Sequence, residues 1–215
     1  MTSKPASDPI YKSKKRPKNE IKYEVTLDED QKLVKLSIWE NQVTIVTGRA
    51  GSGKSLVCVI GAIDLLFNKE IEKINVTRAA IETGKSLGYL PGDLGEKFNP
   101  YLEAFMENVE KSVSLEKRKN LKDKIDATPI QFIRGKTIDG LLVVEEAQNL
   151  SKHEVLAILT RLGKNGRIVF NGDLDQKDTK DYDGEENGLK YLYELSKSIE
   201  EIKLIKNGAN VCDIG

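Results

Sequence analysis

The chain has 215 residues, and its 34 Lys and Arg balance 34 Asp and Glu, so the formal net charge is zero. That length suits one compact domain with a sizeable core, and 39% hydrophobic with 32% charged residues describes a soluble globular chain rather than a disordered one. Two cysteines (Cys58, Cys212) and one histidine (His153) exclude a Cys/His zinc site and a disulfide scaffold, while zero net charge argues against a wholly basic nucleic-acid binder.

The first twenty residues are compositionally separate. Lys4, Lys12, Lys14, Lys15, Arg16 and Lys18 lie among Pro and Ser with almost no apolar residues. They read as a flexible basic tail, either simply solvated or a phosphate-binding arm for nucleic acid or a membrane surface. This start has no apolar h-region and is not a secretory signal. No apolar run approaches the roughly 20 residues of a membrane span, so no membrane role is expected.

Residues 21–215 read as a single globular domain of alternating strands and helices. Asp28–Glu40 opens with acidic residues and predicts a helix, and Gln42–Thr47 is a short β-branched run that predicts a buried strand. A helix over Gly53–Phe67 and a strand over Glu72–Thr77 complete a βαβ unit with parallel strands. Arg78–Leu94, with Gly84, Gly88, Pro91 and Gly92, reads as a long shaped loop. Glu96–Lys124 predicts two amphipathic helices with Leu102, Phe105, Met106 and Val109 on the apolar face. Strands follow at Pro129–Ile133 and Leu141–Glu145, then a helix over Ser151–Leu162 that Ser151 caps with Glu154 three residues on. A strand at Arg167–Asn171, a helix at Glu185–Ile199 and a strand at Glu201–Ile205 close the series.

Gly48-Arg49-Ala50-Gly51-Ser52-Gly53-Lys54-Ser55 fits G-x-x-x-x-G-K-[ST], and it follows a buried strand and opens a helix. A polyphosphate needs many donors in a small volume. Glycines let successive N–H groups turn inward, and the helix start adds its dipole. Lys54 would meet the β- and γ-phosphates, and the Ser55 hydroxyl would ligate Mg²⁺. The strand Leu141–Glu145 ends in two acids, Glu145 and Glu146. Beside a phosphate loop, one carboxylate can hold the ion through water and the next can polarise an attacking water; in isolation they would be solvated strand-end acids. Gly172-Asp173-Leu174-Asp175-Gln176 follows another strand, with Gly172 permitting a sharp turn. Asp173 and Gln176 are then either γ-phosphate neighbours or parts of a turn.

Taken together, these blocks resemble the PhoH-like proteins, P-loop ATPases related to the core of superfamily 1 helicases. The resemblance rests on GRAGSGKS at 48–55, TRAAIETGKSLGYLPGDLGEKFNPYL at 77–102, FIRGKTIDGLLVVEEAQN at 132–149, LTRLG at 159–163 and NGDLDQ at 171–176. It implies an α/β fold, a RecA-like P-loop NTPase of three layers around a mostly parallel sheet. ATP would be the substrate, bound by Gln31 (at the adenine), by Gly48, Arg49, Ala50, Gly51, Ser52, Gly53, Lys54 and Ser55, and by Leu56. The implied catalytic set is Lys54, Glu146, Glu145, Asp173 and Gln176, with Arg134 and Arg161 facing ligand or a neighbouring subunit. Mg²⁺ would sit on Ser55 and Glu145. Arg78 and Lys85 are the implied nucleic-acid contacts, and His153 matches no catalytic position.

Three departures from the family pattern stand out. Glu145 takes the place of the usual Asp, which shifts the carboxylate by about 1.5 Å and is expected to weaken turnover rather than abolish it. Arg49 stands where many relatives have Pro. The sequence ends at Gly215 without the His-Pro-Leu-Val-Gln-Arg stretch of many relatives, which leaves the arginine finger unassigned. Helicases of this type close two lobes over ATP; one lobe here implies a homo-oligomeric ring, a hexamer, with ATP between subunits. Coupling to RNA or single-stranded DNA is expected; the alternative is a nucleotide-dependent switch or assembly factor acting on a protein. A metal-dependent nuclease and a small-molecule kinase fit less well, having no extra acidic cluster and no suitable loops. The resemblance and the lack of a signal place the chain in the cytoplasm, the host's if it is phage-encoded.

Overall fold

The computed structural model describes residues 18, 21–79, 94–176, 187–197 and 209–214. Helix α1 (Glu29–Glu40) leads into strand β1 (Val43–Gly48), and α2 (Lys54–Phe67) into β2 (Ile74–Arg78). Two helices, α3 (Leu94–Ser112) and α4 (Leu115–Leu121), precede β3 (Ile125–Ala127) and the short α5 (Ile130–Ile133). Then come β4 (Leu141–Glu145), α6 (Lys152–Leu159), β5 (Arg167–Asn171), α7 (Gly188–Lys197) and β6 (Ala209–Ile214).

The six strands form one sheet in the order β3-β2-β4-β5-β1-β6, and every pairing is parallel. Side chains alternate between its faces with period two. Leu141, Val143, Val169 and Val46 pack with α1, α2 and α3, whereas Leu142, Val144, Ile168, Phe170, Val43 and Ile45 pack with α5, α6 and α7. Both faces are covered, which is why the central strands are near-continuous apolar runs. The result is the three-layer α/β arrangement of a P-loop NTPase.

Two local devices lock α1 in place. Asp28 and Gln31 form a capping box at its start. At its end the buried Arg167, from the first position of β5, donates to the carbonyls of Trp39 at 3.0 Å and Asn41 at 2.7 Å. A guanidinium there satisfies carbonyls that have no intrahelical partner. Underneath, Lys35 of α1 and Asp64 of α2 pair at 2.9 Å with both side chains buried, and the Tyr23 hydroxyl donates to Asp64 at 2.6 Å.

Two of the predicted strands need separate comment. Pro129–Ile133 is not a strand: Pro129 precedes the helical turn α5, and the strand is Ile125–Ala127 just before it. Proline with its fixed φ suits a helix start, and four apolar residues cannot by periodicity alone tell helix from strand. Being an edge strand, β3 tolerates the exposed Asp126 that hid it. Glu201–Ile205 lies outside the described residues, as do residues 80–93 of the long loop; the strand seen beside β1 is β6. Among the described residues no helix is long and apolar enough to cross a membrane.

Candidate nucleotide site

Parallel strands deliver their carboxyl ends to one edge, and here that edge gathers the chemistry. Register pairs Arg78 with Glu145, Val46 with Asn171 and Gly48 with Ile214, so the carboxyl ends of β1, β2, β4 and β5 lie side by side. Between β1 and α2 the chain turns through Gly51 and Gly53, both at φ 84°, a left-handed conformation that costs glycine little. At Gly53 a Cβ would also stand 2.6 Å from the Gln31 amide nitrogen. Gln31 donates at 3.2 Å to the Ser52 carbonyl, tying α1 to the loop.

A cleft of about 440 Å³ lies over this loop, a volume suited to a small-molecule ligand. Ala50, Gly51, Gly53, Lys54, Ser55 and Leu56 form one wall; Glu145, Glu146, Asn171, Asp173 and Gln176 face them. The Lys54 ammonium donates to the carbonyls of Gly48 at 2.7 Å and Arg49 at 2.8 Å, so it is held within the loop. Arg49 itself is exposed.

The acid side is more tightly organised. Ser55 Oγ donates to Glu145 Oε2 at 3.0 Å, and Asn171 Nδ2 donates to the same oxygen at 2.6 Å and to Ser55 Oγ at 3.0 Å. Burial pushes the Glu145 carboxyl above its ordinary value, against the opposing effect of the Ser55 and Asn171 hydrogen bonds. The half-buried Glu145 carboxylate and the Ser55 hydroxyl, 3.0 Å apart, make a hard oxygen set. That set fits Mg²⁺. Glu146 sits at φ 55°, with Arg78 donating to its Oε1 at 3.4 Å and Gln148 to its Oε2 at 2.6 Å.

The sequence-predicted residues thus divide. Lys54, Ser55, Glu145, Glu146, Asp173 and Gln176 share the cleft, and Arg78 reaches Glu146 from β2. Arg134 and Arg161 are exposed and do not line it. The Arg161 carbonyl accepts the Ile138 N–H near the amino-terminal ends of β4 and β5, the opposite edge of the sheet. His153 is an exposed residue of α6, and Lys85 lies outside the described residues. Gly172 serves space rather than a special backbone angle, because a Cβ there would stand 2.6 Å from Gln148 Oε1 and 2.8 Å from a Leu189 methyl. Three residues escaped sequence reasoning. Asn171 and Gln148 lie inside the quoted motif blocks, but the sequence assigned them no role. Asn108 of α3 lines both the cleft and an adjoining hollow of about 190 Å³ floored by Val76 and Phe105, and only packing could place it there.

A family model described as "PhoH-like protein" matches residues 25–211. The chain is 32% identical to a PhoH-like protein of Bacillus subtilis, a match covering 93% of this chain and 68% of that one. It is 32% identical to a PhoH-like protein of Synechocystis, covering 77% and 51%, and 30% identical to Protein PhoH of Escherichia coli, covering 82% and 51%. The chain therefore spans about two thirds of the first relative and about half of the other two. The crystal structure of Pif1 helicase from Candida albicans matches 88% of this chain and 40% of its own, with a TM-score of 0.45 at 14% identity.

Proposed function

The chain belongs to the PhoH-like family, and from that premise and its cleft we propose that it is a Mg²⁺-dependent ATPase acting as a homo-oligomeric ring on RNA or single-stranded DNA. The observation that carries the ATPase reading is convergence: Lys54, Ser55, Glu145 and Glu146, from two separated parts of the chain, line one cleft.

The chemistry follows from charge placement. Water attacks the γ-phosphorus in line with the bridging oxygen to the β-phosphate, which leaves as ADP. Lys54 and the inward-turned amides of the loop compensate the charge on the phosphate oxygens. Glu146 accepts a hydrogen bond from the attacking water and orients it. Ser55 and Glu145 would hold Mg²⁺, which when bound neutralises charge shared by the β- and γ-phosphates. Asp173 and Gln176 lie where the terminal phosphate can be read.

The ring reading draws on the position of Arg161. An arginine on the edge opposite its own cleft can reach a nucleotide only in another subunit, through a head-to-tail contact of the kind that closes rings. Such an arginine in trans accelerates phosphoryl transfer by about 10³–10⁵-fold. Arg78, half-exposed beside Glu146, supports nucleic-acid coupling at the same site.

The test is ATP turnover by wild type and Lys54→Ala, with and without RNA and single-stranded DNA over a salt series, alongside the mass in solution. Turnover above the Lys54→Ala level, stimulation that fades with salt, and a ring-sized mass are expected. Equal turnover in the two proteins refutes the ATPase reading. A rate unmoved by either nucleic acid transfers the reading to a protein-directed switch.

A further inference from the structure

Both carboxylate oxygens of Glu146 are held, and by different parts of the fold. Arg78 takes Oε1 from the half-exposed side; Gln148 takes Oε2 at 2.6 Å from the interior. With its backbone at φ 55°, Glu146 starts from a conformation uncommon for its type, and these partners set where its side chain points.

Gln148 is almost wholly buried, 3% exposed, and its amide is used at both ends. While Nε2 donates to Glu146, Oε1 accepts the backbone N–H of Asp173 at 3.2 Å. Its main-chain carbonyl accepts the Asn187 amide at 2.8 Å, which anchors it to the start of α7. Gly172 leaves no room for a Cβ against this same side chain, so the turn after β5 closes directly onto it. A primary amide can donate to an acid and accept from main chain at once, and here it spans β4 and β5 in doing so.

We infer that Gln148 is a positioning residue that links the Asp173–Gln176 turn to Glu146, so that movement of the turn on the terminal phosphate re-aims the carboxylate toward the attacking water. This rests on the ATPase reading above. Gln148 does not line the cleft; it acts through Glu146.

Two variants test it in the full chain, each with melting temperature and affinity for a fluorescent ATP analogue measured beside turnover. Gln148→Leu removes both hydrogen bonds at similar size. Expected is a fall in kcat of about 10–100-fold, the usual scale for lost supporting contacts, with KM for ATP within about threefold. Gln148→Glu keeps the acceptor for the Asp173 N–H and changes only the donor. When ionised, the introduced carboxyl repels Glu146; when protonated, it donates to Glu146 Oε2 and restores the link. The groups facing it are Glu146, with Arg78 behind, and the Asp173 main chain. Its turnover relative to wild type is therefore expected to rise roughly fivefold or more from pH 8 to pH 6. A residue needed only for packing produces no such recovery.

A kcat for Gln148→Leu within about twofold of wild type overturns the inference. If Gln148→Leu fails to fold, the Gln148→Glu ratio decides, and a ratio flat across pH overturns it as well. Wild-type turnover no faster than Lys54→Ala overturns the ATPase reading and this inference together. Active wild type with an unaffected Gln148→Leu overturns this inference alone.

Discussion

Replacing Asp64 by Ala removes the anion from the buried Lys35–Asp64 pair beneath α1. Both partners are 3% exposed and meet at 2.9 Å, so the variant takes this carboxylate away from a buried ammonium. The Tyr23 hydroxyl, 2.6 Å from Asp64, still has the Ile60 carbonyl at 3.1 Å, and its ring stays 5.1 Å from the Lys35 nitrogen. Neither replaces a carboxylate. Breaking a buried pair by removing one partner costs about 3–5 kcal/mol. That is a large part of the roughly 5–15 kcal/mol by which domains are stable. In a chain of 215 residues, at about 2–4 °C per kcal/mol, the melting temperature is expected to fall by about 6–20 °C. Thermal and urea unfolding followed by circular dichroism measure this directly. Because it removes both charges of the pair, Lys35→Met combined with Asp64→Leu is expected to recover most of the loss. The reasoning is refuted if Asp64→Ala costs under about 1 kcal/mol, or if the double variant is no more stable than the single one.

Glu146→Gln preserves shape but removes the charge that the proposed mechanism uses to orient water, so turnover is expected to drop by about 10²–10⁴-fold while ATP-analogue affinity holds. Single-turnover kinetics with a binding titration check it. Gly53→Ala forces a Cβ into a backbone at φ 84° and to within 2.6 Å of the Gln31 amide. A loss of about 1–2 kcal/mol in unfolding free energy is expected, with weaker nucleotide binding by titration. Glu145 supplies a pH dependence whose sign follows from burial. Its folded carboxyl is raised above 4.5, so the folded chain binds the extra proton, and stability without metal falls as pH rises from about 4.5 through the raised value. Glu145→Gln should abolish that slope in urea unfolding measured in EDTA. Mg²⁺ needs the ionised form, so Mg²⁺-dependent nucleotide affinity is expected to change with pH in the opposite sense, weakening as pH falls.

Much of this molecule could be read locally. The phosphate loop, its lysine and serine, and the two acids at the end of Leu141–Glu145 are contiguous motifs whose spacing carries their meaning. Each central strand is marked by a near-continuous apolar run, because a parallel sheet covered on both faces favours one. The capping box at Ser151 and Glu154 was legible for the same reason, both partners lying within one turn. Where the sequence was ambiguous, the deciding forces were not local. Ile125–Ala127 forms a strand because β2 offers an open edge, although Ile-Asp-Ala has little strand pattern of its own.

The tertiary structure alone decided how the motifs meet. Parallel crossovers put the ends of β1, β2, β4 and β5 on one edge, which turns Arg78 and Asn171 into partners of acids 68 and 26 residues away in the chain. The same crossovers carry Arg161 to the opposite edge, away from the cleft. Gln148 and Asn171 stand within recognisable motifs, but their partners were not legible there, since a hydrogen bond across strands depends on register and strand order. Sequence therefore determined which chemical groups this protein has and which local shapes hold them. Register and burial determined which groups touch, and so how strongly each one's charge and direction are set.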